Sequence, residues 1–155
     1  MVADIAWVAL AAGLAVGVPG IFSAIGVGMT GVAAAGVTSE DPTKFSKAFV
    51  LEIIPGTQGF YGFIAGMLII IGTGLLGGGL KAGISGLAVL AAAVPAIFQG
   101  FTAYAQGLTA TAGVSAIAKK PEVFGKCVMY TVMVETYAIL GFLATFLLLI
   151  SIGVW

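Results

Sequence analysis

Charge is what this chain has least of. Of 155 residues, six are basic and six acidic, 8% in all, against about 25% in ordinary soluble domains. So few charges cannot cover a water-facing surface, so a soluble globular fold is excluded. Histidine is absent and cysteine occurs once, at Cys127, which removes an intramolecular disulfide and any Cys/His metal cluster. Net charge is zero with no basic block, so nucleic acid is not an expected partner. Before its first apolar run the chain carries Asp4 and no Lys or Arg. It thus lacks the basic n-region of a cleavable signal peptide, and that run reads as a retained helix.

Apolar sequence is abundant: 61% of residues are hydrophobic. Stretches 5–39, 53–80, 82–118 and 136–155 hold no charge, and each meets the threshold of about 18 residues for a spanning helix. The expected fold is an all-α integral membrane protein with four transmembrane helices and no room for a soluble catalytic domain. Energy for any transport must then come from an ion gradient or from another polypeptide.

Polar residues gather in two short segments, 38–47 and 119–126, which look like copies of each other. A shift of 79 residues places Pro42 on Pro121, Phe45 on Phe124 and Lys47 on Lys126. The same shift pairs Gly28 with Gly107, Thr30 with Thr109, Gly62 with Gly141 and Phe63 with Phe142. Upstream, Val18-Pro-Gly-Ile-Phe22 and Val94-Pro-Ala-Ile-Phe98 match at a shift of 76. The chain therefore reads as two tandemly duplicated helical hairpins, 1–78 and 79–155, joined by a Gly-rich loop between Gly72 and Gly86. Five of the six Lys lie in the two polar segments. The positive-inside rule puts loops 38–47 and 119–126 in the cytoplasm and both termini on the opposite side of the cell membrane. Trp7 and Trp155 would anchor the first and fourth spans there. From Glu122 to Gly153 the last helix would be about 48 Å long, longer than the roughly 30 Å hydrocarbon core, so the hairpins should project on the cytoplasmic side.

Small residues form stripes on two helices: Gly13, Gly17, Gly20, Ala24, Gly28, Gly31 and Ala35 on the first, and Ala92, Ala96, Gly100, Ala103, Gly107 and Ala110 on the third. Such stripes let backbones approach closely in lipid, where packing drives association. One reading is ordinary pairing within one chain. The other is a crowded inner layer of helices 1 and 3 from several copies, with helices 2 and 4 outside.

Glu135 has eight uncharged residues before it and twenty after it. An ionised carboxylate near the centre of a spanning helix costs about 2.5–3.5 kcal/mol on the translocon scale, so an acid there is by default a functional site. Ile54, Thr57, Gln58 and Tyr61 form an i, i+3, i+4, i+7 stripe on the second helix. Pro55 within it lacks an N–H and clashes with the carbonyl four residues back, which loosens a backbone oxygen. Gln106 on the third helix and Thr136 on the fourth add polar atoms. Hard cations such as Na⁺ prefer oxygen ligands, and these residues supply them; the alternative for Thr57 and Gln58 is plain interhelical hydrogen bonding. At the 79-residue shift Glu135 corresponds to Gly56, so only the second hairpin holds the acid. Glu52, one turn nearer the cytoplasmic loop, reads as an interfacial charge.

Pro55-Gly-Thr-Gln-Gly-Phe-Tyr-Gly62 and Val134-Glu-Thr-Tyr-Ala-Ile-Leu-Gly-Phe142 resemble the proteolipid rotor subunit (c or K) of V-type and A-type rotary ATPases, in the sodium-translocating bacterial branch. The resemblance covers essentially the whole chain. It departs in the first helix, which is about three residues shorter near Ser23 to Gly28 and has Val32 where relatives can carry an acid. The resemblance implies that Glu135 is the ion-carrying carboxylate, with Thr57, Gln58, Gln106 and the backbone carbonyl of Ile54 coordinating Na⁺. It makes Tyr61 a site-locking hydrogen bond; Thr136 stands as a neighbour beyond the ligands. It further implies a non-catalytic ring of identical copies, turning against a membrane stator with an essential arginine and joined to a central-stalk protein through its cytoplasmic loops. A proton in place of Na⁺ is the alternative cargo. The rivals from other classes are a small duplicated secondary exporter and a non-transporting scaffold or pore. Gly72-Thr-Gly-Leu-Leu-Gly77 satisfies G-x-G-x-x-G, but without a preceding strand and a following acid it is no nucleotide fingerprint.

Overall fold

In lipid every backbone N–H and C=O must be satisfied within the chain, which leaves the helix as the natural form for long apolar sequence. The computed structural model, which describes residues 2–155, follows this rule with four helical spans: Val2–Glu40, Pro42–Gly72, Gly86–Lys119 and Pro121–Ser151. Each is long and apolar enough to cross a membrane, and together they form a multi-pass helical bundle. The first is one helix, α1 (Val2–Glu40), continuous through Pro19. It stops where Asp41 turns extended and Pro42 follows, since a residue before proline is pushed out of the helical region.

Three of the spans are segmented. The second opens with a 3₁₀ turn at Pro42–Lys44, runs through α2 (Phe45–Ile53), tightens to 3₁₀ at Ile54–Gly56 and continues as α3 (Thr57–Gly72). Pro55, which donates no hydrogen bond, accounts for that tightening. The third span divides at Gly100 and Phe101 into α4 (Gly86–Gln99) and α5 (Thr102–Lys119). That break is not evident in the sequence. Its cause is contact: a Cβ on Gly100 would lie 2.5 Å from the Cα of Pro19, so the third span bends around α1. The fourth span repeats the opening of the second, with a 3₁₀ turn at Pro121–Val123 before α6 (Phe124–Ser151).

At one end the two polar loops lie together. The Lys44 ammonium donates to the carbonyl of Ala118 at 2.7 Å and Lys47 to that of Pro121 at 3.1 Å. Asp41 caps the first loop, accepting from the Thr43 hydroxyl at 2.6 Å and the Thr43 amide at 3.0 Å, with Lys44 at 3.3 Å. These donors, the Thr43 hydroxyl foremost, hold the Asp41 carboxyl below its ordinary value. At the other end the loop from Gly72 to Gly86 turns through Gly74, Gly78 and Gly83, all at positive φ, where glycine alone is unstrained. Trp155 closes this end: its indole N–H donates to the carbonyl of Leu68 at 3.2 Å, and Lys81 reaches the carbonyl of Val154 at 3.4 Å.

The two small-residue stripes have different fates. That of the third span is buried along its length, and it meets α1 backbone on backbone: a Cβ at Gly107 would lie 2.6 Å from the Cα of Gly26. That of α1 is exposed at Gly13, Gly17, Gly20, Ala24, Gly28 and Ala35, because α1 buries a second small face, Ala12, Ala15, Pro19, Ser23, Gly26 and Thr30, within the chain. Apolar side chains collect in two clusters, one around Val8, Ile69, Val89 and Leu149 and one around Leu51, Val114 and Ile117 nearer the polar loops. Between them lies a layer of polar groups.

Candidate functional site

The layer starts from the 3₁₀ turn at Ile54–Gly56. Just past that more tightly wound turn the Thr57 hydroxyl meets the carbonyl of Ile54 at 3.0 Å and lies within 3.4 Å of the Gln58 Oε1. Two oxygens thus flank the Thr57 hydroxyl. Gln58 is fully buried, and its amide N–H₂ donates across to α5, to Gln106 Oε1 at 2.6 Å and to the Thr102 hydroxyl at 3.3 Å. Gln106, also fully buried, passes the chain on to α6 by donating to the carbonyl of Thr131 at 3.0 Å. With its amide N–H₂ so employed, Gln58 keeps Oε1 facing the Thr57 hydroxyl, with acceptor capacity to spare.

Glu135 enters from α6. The Tyr61 hydroxyl, one turn beyond Thr57, donates to Glu135 Oε1 at 2.7 Å. That length is ordinary for an O–H···O hydrogen bond. Tyr61 is fixed for the purpose by stacking on Phe142, ring centroids 6.0 Å apart at 29°, and the next residue, Gly62, lets α3 press on Ala15 and Pro19 of α1. Glu135 itself is partly buried, on the boundary between the bundle and its surroundings. Among the described residues no three His, Cys, Asp or Glu cluster as a metal centre would require. The candidate site thus has two parts, the Glu135 carboxylate bonded to Tyr61 and the neutral oxygens of the Thr57–Gln58 network.

Of the residues singled out from the sequence, Ile54, Thr57, Gln58 and Gln106 share one hydrogen-bonded network, and Tyr61 joins Glu135. Thr136 stands apart: it is exposed, because the residue after Glu135 is turned about 100° around the helix. Three residues not singled out belong to the layer. Gln99 donates to the carbonyl of Gln58 at 3.1 Å, Thr102 accepts from Gln58, and Ser23 accepts from the amide of Gly59 at 2.8 Å. Gln99 Oε1 is buried and has no hydrogen-bond partner among the described residues. Gln99 precedes Gln106 by seven residues, the spacing of one helical face; across the break at Gly100 and Phe101 both still meet Gln58, and that spacing was the available signal.

Comparison with known proteins agrees with this geometry. The family model of the ATP synthase C subunit matches twice in succession, at residues 10–69 and 69–148. The K subunit of the V-type sodium ATPase of Enterococcus hirae is 49% identical over 133 residues, covering 85% of this chain and 83% of its own. The K subunit of the A-type ATP synthase of Methanocaldococcus jannaschii is 42% identical over 144 residues, covering 93% of this chain and 62% of its own. On these matches the chain belongs to the ATP synthase C-subunit family, as a non-catalytic, ion-translocating rotor protein of the K or c type.

Proposed function

We propose that this chain assembles with identical copies into a ring, helices 1 and 3 inside and 2 and 4 outside, and carries one Na⁺ per chain on Glu135. The observation that carries the reading is the 2.7 Å bond from Tyr61 to Glu135, with Tyr61 one turn along the same helix from the Thr57 hydroxyl and the Ile54 and Gln58 oxygens that flank it. Protonation of a carboxylate requires no such oxygen set; a desolvated cation does. The ligands in this reading are the Glu135 carboxylate, the Thr57 hydroxyl, the side-chain carbonyls of Gln58 and Gln106 and the backbone carbonyl of Ile54. Tyr61 holds the carboxylate in place. The name of the Enterococcus hirae relative, part of a sodium ATPase, supports Na⁺ over H⁺.

The duplication into hairpins 1–78 and 79–155 is part of the proposal, and the two successive family matches support it. It leaves Gly56 where the second hairpin has Glu135, hence one site per chain. A loaded Glu135 is nearly neutral and tolerates lipid, whereas an empty ionised one costs about 2.5–3.5 kcal/mol there. Rotation past lipid therefore demands loading. Beside a cationic group of a membrane stator, opposite charge favours the ionised carboxylate and releases the ion. Loops 38–47 and 119–126, which lie together and carry five of the six Lys, face the cytoplasm in this reading and dock a central stalk. Carbodiimide labelling tests the cargo: millimolar Na⁺ at neutral pH should protect Glu135. Labelling that is insensitive to Na⁺ and falls only with rising pH would replace Na⁺ by a proton.

A further inference from the structure

The first hairpin has two grooves on its outer face, and both have filled counterparts in the second. One, of about 220 Å³, is lined by Gly31, Ala34, Ala35 and Thr38 of α1 and by Phe45, Ala48, Phe49 and Glu52. The other, of about 460 Å³, lies beside Gly56 and Phe63. Shifted by 79 residues, the first becomes the groove of Gly113, Val114, Ile117, Cys127 and Thr131, and there Leu51 plugs it, packed on Gly113, Val114 and Ile117. The second becomes the surroundings of Glu135 and Phe142, filled by Tyr61. Within the chain, then, the first hairpin supplies knobs to the second hairpin's grooves. The counterparts of those knobs are Tyr130 for Leu51, Tyr137 for Gln58 and Leu140 for Tyr61. All three stand exposed, the tyrosines at 67% each, and the two tyrosines share a helical face seven residues apart.

Resting on the ring reading above, we infer that Tyr130, Tyr137 and Leu140 of one copy enter the two grooves of the next. The contact between copies repeats the contact between hairpins head to tail, so that the two hairpins serve as equivalent units of one closed ring. Two details support it. The Thr30 hydroxyl bonds the carbonyls of Gly26 at 3.0 Å and Gly107 at 3.2 Å; its counterpart Thr109 bonds Ala105 at 3.0 Å but has no second carbonyl, and Gly28 of the next copy stands where Gly107 would. Glu52 is the other. Its carboxylate lies against Gly31, where a Cβ would come within 2.8 Å of it, and no hydrogen bond or ion pair engages it among the described residues. Leucine has nothing to offer such an acid, but the Tyr130 phenol in leucine's place brings a donor. The Glu52 carboxylate accepts the neighbour's Tyr130 hydroxyl, while Tyr137 and Leu140 fill the groove beside Gly56 and close the vacated twin to ions.

Paired cysteines in a Cys127→Ala background test this. Ala35→Cys with Tyr130→Cys should give, on mild oxidation, a ladder of covalently joined copies in denaturing gels. Leu51→Cys with Val114→Cys, the internal counterpart, should close within one chain and give no ladder. Native mass spectrometry of the same samples reports the assembly. An intact ring with no Ala35–Tyr130 ladder overturns this docking and leaves the rotor reading standing; a monomer or dimer overturns both. Tyr130→Phe should lower the temperature of ring dissociation in the wild-type chain and not in a Glu52→Ala chain. An equal loss in both removes Glu52 as the acceptor.

Discussion

A carboxylate in the middle of a membrane helix is governed by what stands within hydrogen-bonding reach, and for Glu135 that is the Tyr61 hydroxyl at 2.7 Å. Hydrogen bonds to a charged group contribute about 1.5–3 kcal/mol. Tyr61→Phe should therefore weaken Na⁺ protection of Glu135 against carbodiimide by roughly 10- to 100-fold, with labelling in the absence of Na⁺ retained. Glu135→Gln keeps the shape and loses the charge, so ATP-driven ion transport by the whole complex should fall to background while the assembled complex is still recovered by purification. Gln58 and Gln106 are buried and joined at 2.6 Å. Truncating Gln106 to Ala leaves a buried donor unpaired, at about 1–3 kcal/mol, and should lower thermal stability as well as Na⁺ protection. The sequence made Glu135, Thr57 and Gln58 legible because polar atoms are rare in these helices. It did not bring in Gln99, Thr102 or Ser23, since helical phase relative to a neighbouring span is a property of packing.

Element by element, the backbone contacts decide what can be changed. A Cβ at Gly26 would lie 2.5 Å from the Ala103 carbonyl oxygen, whereas one at Gly28 meets nothing within 4 Å. Gly26→Ala should therefore push α1 from α5 and cost about 1–3 kcal/mol, as overpacking does, measured as a fall in the denaturation midpoint in mild detergent. Gly28→Ala should leave the dispersed single chain unaffected, and differ from wild type only where copies assemble. The Pro55 distortion and the Gly-rich turn after Gly72 were readable from residue type alone, for proline and glycine act through local sterics. The division of the third span at Gly100 was not readable, because glycine in a helix carries no sign of the Pro19 backbone it will meet. Nor did periodicity reveal that α1 has two small faces and buries only one within the chain.

For the whole molecule, the ends of the bundle are tied in different ways. At one end Lys44 and Lys47 hold the second polar loop by its carbonyls; at the other Trp155 spans to Leu68 beneath Lys81. Removing Trp155 should speed amide exchange across 73–85 while leaving the polar loops protected, which hydrogen-exchange mass spectrometry would resolve. Sequence by itself determined the membrane class, the four spans, the acid and the family, because each follows from the cost of charge and unpaired backbone in lipid and from residue identity along the chain. Tertiary structure decided which small stripe is buried, how Tyr61 meets Glu135 and which grooves stay open. Those depend on the relative rotation of packed helices, a property fixed only when side chains from distant stretches compete for the same space.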